Sequence, residues 1–234
     1  MDYEHIRASM VDGTADRVVP RWAVGVLGEV IDGRRAITAV RHPLGFVCLP
    51  LWRDGGAGAC THVWSDRLTQ ASPTTSTMHA HSWDLTSYVL YGQLRNELVD
   101  VRELTDRADS AEATAHRVFE VHTGQEADEI RRTPRLVRGR AHATDRHQRG
   151  EVYALPAGVF HQTVVERETA TIALGSHRPG GVDLALGDVE TATHRVSRFH
   201  CDRDETARVA RMVVERLAES LPPREKEKQC CHGA

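Results

Sequence analysis

No stretch of this 234-residue sequence approaches the roughly 18 consecutive apolar residues of a membrane-spanning helix, and the longest apolar run, Trp22 to Ile31, is interrupted by Glu29. A membrane span is therefore excluded. Positive charge is not in excess either. Thirty Lys and Arg residues against 33 Asp and Glu give a formal net charge of −3, which excludes a strongly electrostatic nucleic-acid binder. Lysine is nearly missing: Lys226 and Lys228 stand alone in the closing segment REKEKQCCHGA. No basic segment followed by an apolar one opens the chain, so nothing directs it to secretion. A cytoplasmic setting with the five cysteines as reduced thiols is the expectation. The last residues lack the aliphatic pair that prenylation after Cys231 would need. Aromatics are sparse at 5%, yet there are 14 histidines, roughly three times ordinary usage.

Length and a 40% hydrophobic content suffice for one substantial core with terminal additions. The expected division is an N-terminal helical extension over 1–35, a β-rich domain over 36–200, a helix over 201–221 and a flexible tail over 222–234. The first 13 or so residues are polar and carry no clear pattern. From Val19, apolar residues at three- and four-residue spacing (Trp22, Ala23, Val26, Leu27, Val30, Ile31) predict an amphipathic helix that Gly33 terminates, with Gly25 and Gly28 weakening it. The middle alternates short β-branched and aromatic runs (AITAV, GFVCLPLW, THVW, TSYVLYG, HRVFEVH, EVYALP, ATIALG) with Gly, Pro, Asp and Ser. Strands without intervening helical patterns exclude a Rossmann or TIM architecture and predict an all-β sandwich or barrel. Asp202 with Glu205 forms a capping-box signature, and Val209, Met212, Val213, Leu217 and Leu221 share a helical face ending at Pro222-Pro223.

Two connections stand apart. Arg102 to Ala115 reads as a polar loop with some helix. Arg131 to Arg149 carries seven arginines against one aspartate and reads as a hairpin with solvated arginines, with phosphate or carboxylate attraction as the alternative.

The histidines concentrate where strands are expected. In Met78-His79-Ala80-His81-Ser82-Trp83-Asp84, strand alternation puts His79 and His81 on one face and Asp84 on the other unless a bulge intervenes. Two imidazoles about 7 Å apart along a strand can converge on one ion. Much later, Gly150-Glu-Val-Tyr-Ala-Leu-Pro156-Ala-Gly158-Val-Phe-His161 spells a strand, a tight turn and a third histidine.

These two segments resemble the cupin superfamily, whose motifs run G-x5-H-x-H-x3/4-E-x6-G and G-x5-P-x-G-x2-H-x3-N. Gly150, Pro156, Gly158 and His161 match the second motif in every spacing, with Val165 at its Asn position. His79, His81 and Gly92 match the first, with Pro73 at the leading Gly position and Leu85 at the Glu position, Thr86 being the alternative. The resemblance covers about residues 36 to 178. It implies an all-β fold, a single double-stranded β-helix (jelly-roll) barrel, holding a metal through His79, His81 and His161. Without the glutamate, an ion's dipositive charge has no protein carboxylate to balance it, and Asp84 is a second candidate ligand. Such a three-histidine set is similar to that of the cysteine dioxygenase-type thiol dioxygenases, and Leu90-Tyr-Gly92-Gln-Leu94-Arg-Asn96-Glu97 resembles their L-x-G-x-L-x-E pattern. Their Ser-x-His-x-Tyr triad has no counterpart here.

The expected function is that of a mononuclear metal enzyme, an Fe(II) oxygenase taking O2 and a small polar metabolite with a thiol, amine or carboxylate. Ni, Mn and Zn are alternative ions. A metal-dependent isomerase or epimerase and a non-catalytic ligand-binding protein are the alternatives of function. Tyr88 and Tyr153 are candidate hydrogen-bond donors to the reacting group, and Trp64 and Trp83 candidate pocket walls. Arg41, Arg53 and Arg95 are candidate carboxylate clamps. His62, His142 and His147 are candidate proton-transfer groups, while Cys48 and Cys60 read as small apolar packers. Nucleic-acid and membrane partners are not expected, and barrel edges point to a homodimer. Because the ligands must be neutral imidazoles, metal loss is expected below about pH 6.

Overall fold

Apolar periodicity of two kinds builds two layers. The computed structural model describes residues 3–104 and 115–219. Helices α1 (Tyr3–Asp12) and α2 (Ala15–Ile31) precede the strands β1 (Val40–His42), β2 (Phe46–Asp54), β3 (Ala57–Trp64), β4 (His79–Ala80), β5 (Trp83–Tyr91), β6 (Gln93–Glu103) and β7 (Ala115–His122). Then follow β8 (Ala127–Gln148), β9 (Val152–Leu155), β10 (His161–Val165), β11 (Thr169–His177), β12 (Asp183–Gly187), β13 (His194–Ser197), β14 (Phe199–His200) and helix α3 (Arg203–Ala218). All strand pairings among the described residues are antiparallel, in two sheets of order β14-β1-β2-β3-β11-β5-β9 and β13-β8-β6-β10-β4-β12-β7. The all-β, jelly-roll-like class expected from the sequence is what the chain adopts.

The first sheet separates two environments. Val47, Leu49, Leu51, Ala59, Val63, Tyr88, Leu90, Ala170, Ile172 and Leu174 face the helices and join their apolar stripes in the largest core cluster. On α2 that stripe is Val19, Trp22, Ala23, Val26, Leu27 and Val30, as the spacing predicts, and Gly33, at φ +73°, ends it in the left-handed region that favours glycine. On α3 the side chain of Asp202 accepts a hydrogen bond from the Glu205 amide at 2.7 Å, and Val209, Val213 and Leu217 are buried. Leu221 and the tail lie outside the described residues.

The opening residues, which carried no evident pattern, form α1. Tyr3, Ile6 and Met10 recur at helical spacing and are buried, and Tyr3 stacks on Trp52 with ring centroids 4.6 Å apart. Tyr3, Ile6 and Met10 alone are a weak stripe in isolation. Burial against a sheet contributed from elsewhere in the chain makes it sufficient.

The arginine-rich stretch is not a hairpin. It belongs to the 22-residue β8, whose first half pairs with β7 and whose second half pairs with β6. The second sheet thereby returns on itself around Ala80, Val99, Val118, Val137, Phe160 and Leu186. Arg131 pairs with Glu129 at 2.8 Å, Arg135 with Glu103 at 2.7 Å, and Arg132 donates to the Val189 carbonyl at 3.1 Å. Such exposed pairs solvate a strand face and add little stability. Most of the polar connection after Arg102 lies outside the described residues. None of the described helices is long and apolar enough to cross a membrane.

Candidate metal centre

His79 opens β4 and stands directly opposite His161, the first residue of β10, so both imidazoles project from one face of the second sheet. His81 follows two residues on. The Pro156–Gly158 turn sets the other half: Val159 N donates to Pro156 O at 3.3 Å, and Gly158, at φ +82°, donates its N–H to the His81 carbonyl at 2.8 Å. A left-handed glycine in that turn ties the two histidine segments together.

The ring centroids lie 4.8 Å apart for His79 and His81, 4.3 Å for His79 and His161, and 5.2 Å for His81 and His161. One ring nitrogen from each lies within 4.8 Å of the other two. His79 Nδ1 contacts the Thr77 carbonyl at 2.9 Å and His161 Nδ1 the Val159 carbonyl at 3.0 Å. A carbonyl only accepts, so Nδ1 carries the proton in both rings and the Nε2 lone pair is left for an ion. Burial holds His79 down to about 3, with the charge of His161 as the second cause. Burial first, and then the neighbouring histidines, holds His81 well below the imidazole range; burial also lowers His161. All three shifts favour the neutral imidazoles that an ion needs.

The donor set fits a divalent ion. Three neutral nitrogens with converging lone pairs gain nothing from one another, whereas a divalent ion held between them would satisfy all three. Asp84 is not a fourth donor. Its Oδ1 accepts from the Ala157 amide at 2.9 Å and its Oδ2 from Arg178 at 2.7 Å, as strand alternation favours. Leu85, in the position where the resembling motif carries Glu, is 6% exposed and packs with Val89, Leu94, Tyr153, Leu155 and Ala173.

Around the histidines, Trp83 lies over His81 at 4.3 Å, and Gly175 admits its indole, since a Cβ there would meet the ring at 3.0 Å. Trp64 lies 5.0 Å from Phe46, which also stacks on His42 and lies tilted against His62, at 4.4 Å each. Tyr153 sits beside Ser87 and Asn96, and burial raises its hydroxyl to about 12. His147 stacks on it at 4.4 Å. Two residues beyond His161, Thr163 donates to Asn96 Oδ1 at 2.8 Å, Asn96 also bonds the Tyr153 hydroxyl, and Thr171 Oγ1 is buried without a partner. That unsatisfied hydroxyl suits a polar guest.

Other candidates lie elsewhere. Tyr88 sits on the helix side of β5, in the helix–sheet core, because it is one residue out of phase with Ser87 and Val89. Arg95 is held by Glu97 at 3.1 Å and Glu166 at 2.6 Å, and Arg41 by Glu205 at 2.5 Å, so neither guanidinium is available as a clamp. Arg53 is exposed and reaches the Cys60 sulfur at 4.0 Å. Sequence reasoning missed the gathering of Cys48, Cys60 and His62. A Cys-x-His on one strand was its available signal.

No family model matches the chain, and no curated protein does. Among solved structures it is similar to hydroquinone 1,2-dioxygenase from Sphingomonas sp. TTNP3 with 4-hydroxybenzoate bound, at TM-score 0.30 and 13% identity over 55% of this chain and 64% of that one. It is similar also to hydroquinone 1,2-dioxygenase PnpCD in complex with Cd2+ and 4-hydroxybenzonitrile, at 0.30 and 12%, over 56% and 63%. A third is E. coli ycfD, at 0.30 and 10%, over 90% and 55%. The chain spans less than two thirds of the length of each. Likenesses at that TM-score carry no weight for the site, which stands on the chain's own residues: a β-rich fold with three neutral histidines gathered between paired strands.

Proposed function

We propose that this protein is a mononuclear Fe(II)-dependent oxygenase acting on a small polar metabolite that carries a thiol, amine or carboxylate. The observation that carries the reading is the convergence of His79, His81 and His161, with Nδ1 of two rings committed to backbone carbonyls. Their Nε2 atoms would hold the ion, and the resemblance of both histidine motifs to the cupin superfamily supports it. Bound iron would supply open coordination positions for the substrate and O2, and the redox capacity to join them. With no carboxylate in the donor set, the charge balance falls to the substrate, which favours an anionic group. The chain's own contributions follow from position. Trp83 shields one side of His81. The Tyr153 hydroxyl, protonated at neutral pH, is available to donate a hydrogen bond, and Thr171 Oγ1 can meet a polar atom of the substrate.

A second reading, a ligand-binding protein without catalysis, is favoured by one observation: an apolar, buried Leu85 where the resembling motif has its acidic ligand. Elemental analysis separates the two. Tag-free protein carrying Cys230→Ser/Cys231→Ser should contain one more equivalent of iron per chain than the same protein with His79→Ala/His161→Ala added. Oxygen-electrode screening of small thiols, amines and carboxylates then distinguishes oxygenation from isomerisation, which consumes no O2. Equal metal content in the two proteins, after iron(II) reconstitution and with folding intact, would sink the enzyme reading.

A further inference from the structure

A second gathering of donors lies on the first sheet. Cys60 and His62 alternate along β3, and Cys48 of β2 stands directly opposite His62 in register, so all three side chains leave the same face. The arrangement repeats that of the first site, where His79 and His81 lie two residues apart and His161 stands opposite His79. The two Sγ atoms and a ring nitrogen of His62 lie within 4.8 Å of one another. Cα atoms two residues apart on a strand are about 7 Å apart, so the rotamers have to aim at a common point. Small thiols packed as apolar filler have no need of that.

We propose that Cys48, Cys60 and His62 form a second metal site, one that takes a thiophilic ion of the zinc(II) or copper(I) type. Thiolate and imidazole donors select such ions over the hard cations that prefer oxygen. The surroundings fit. All three residues are partly buried, and Arg53 brings a guanidinium to 4.0 Å from the Cys60 sulfur, which favours its thiolate. Hydrogen bonding from the Cys48 thiol, and then from His62, also draws the Cys60 thiol below its usual range, while the same hydrogen bond and burial raise the Cys48 thiol. Phe46 and Trp64 wall the imidazole on its other sides, with centroids 4.4 Å and 6.0 Å away. Among the described residues no fourth Cys, His, Asp or Glu joins the group, so a tetrahedral ion here keeps one position open. Uptake of the ion releases the thiol protons, and no redox change is involved. The site does not depend on the three-histidine centre being occupied.

Cobalt(II) tests this on the whole chain, because thiolate ligation gives an intense near-ultraviolet charge-transfer band that a three-histidine site cannot produce. The parent is the full-length protein with Cys230→Ser/Cys231→Ser, reduced and handled without oxygen. The expected result is a charge-transfer band that saturates at one equivalent, is bleached by zinc(II), persists in His79→Ala/His161→Ala and disappears in Cys48→Ser/Cys60→Ser. Cys60→His, which keeps three donors, should retain cobalt uptake with a single thiolate's share of the band. This variant guards against misfolding of the double substitution. Absence of the band in folded, reduced parent would overturn the proposal, as would its survival in Cys48→Ser/Cys60→Ser or its loss in His79→Ala/His161→Ala. Recovery of Cys48 and Cys60 as a disulfide that takes up no cobalt after reduction would overturn it equally.

Discussion

The half-buried histidines should make stability of the metal-free protein depend on pH just below neutrality, and His42 allows the size to be worked out. Its ring lies flat on Phe46, with centroids 4.4 Å apart and 5° between planes, and its Nδ1 accepts from the Leu44 amide at 3.2 Å. Protonation would end that hydrogen bond and place a charge in a desolvated site. Burial, followed by the charges of His62, His79 and Arg198, holds His42 down to about 3. The unfolded chain titrates this group near 6.5. Between those values the unfolded state binds a proton that the folded state refuses, so its contribution is complete above pH 6.5 and is lost as pH falls through it. From pH 7 to 5.5 the loss amounts to about 1.2 kcal/mol for one such histidine. His79, also held to about 3, contributes a similar amount, and His81 and His161 act in the same direction. A drop of roughly 2.5 kcal/mol or more is a large part of a typical stability of 5–15 kcal/mol. Burial also lowers His116 and His147, which add to the loss in the same direction. Urea unfolding of metal-stripped protein at pH 7, 6.5, 6 and 5.5 reads the slope directly. His42→Gln, whose amide oxygen can still accept from Leu44, should flatten it by about 1.2 kcal/mol over the range. A flat profile in the parent, or an unchanged slope in His42→Gln, would refute the reasoning.

Other consequences are simpler to state. Iron(II) at a hundred times its dissociation constant should raise parent stability by about 2.7 kcal/mol at pH 7 and leave His79→Ala/His161→Ala unmoved in a calorimetric melt. Gly25 is exposed within α2 and a methyl there meets nothing within 4 Å, so Gly25→Ala should stabilise by about 0.5–1 kcal/mol in urea unfolding. Asp202→Ala removes the cap on the Glu205 amide and should cost about 1 kcal/mol by the same measure. Tyr153→Phe removes a buried hydroxyl, keeps the ring that stacks on His147, and should lower turnover on the order of a hundredfold while iron content stays constant.

Legibility followed the range over which each signal acts. Helix α2, the cap of α3 and the Pro156–Gly158 turn were readable because spacing, capping and turn chemistry are local, and His79, His81 and His161 were readable because the H-x-H spacing and the turn before His161 are local patterns too. Helix α1 was not, since its three buried residues gain their meaning only from a sheet brought from elsewhere in the chain. Strand β8 was obscured by its arginines, two of which find their partners on another strand or across a turn: Glu103 for Arg135, the Val189 carbonyl for Arg132. Tyr88 and Arg95 were misplaced for two different reasons. A one-residue phase decided that Tyr88 faces helices rather than the interior, and the acids beside Arg95 come from its own strand and from the turn after β10. Register is the common element. The same register that hides Tyr88 from the site puts Cys48 opposite His62, a pairing of residues 14 positions apart that no motif encodes and that only the β2–β3 alignment reveals.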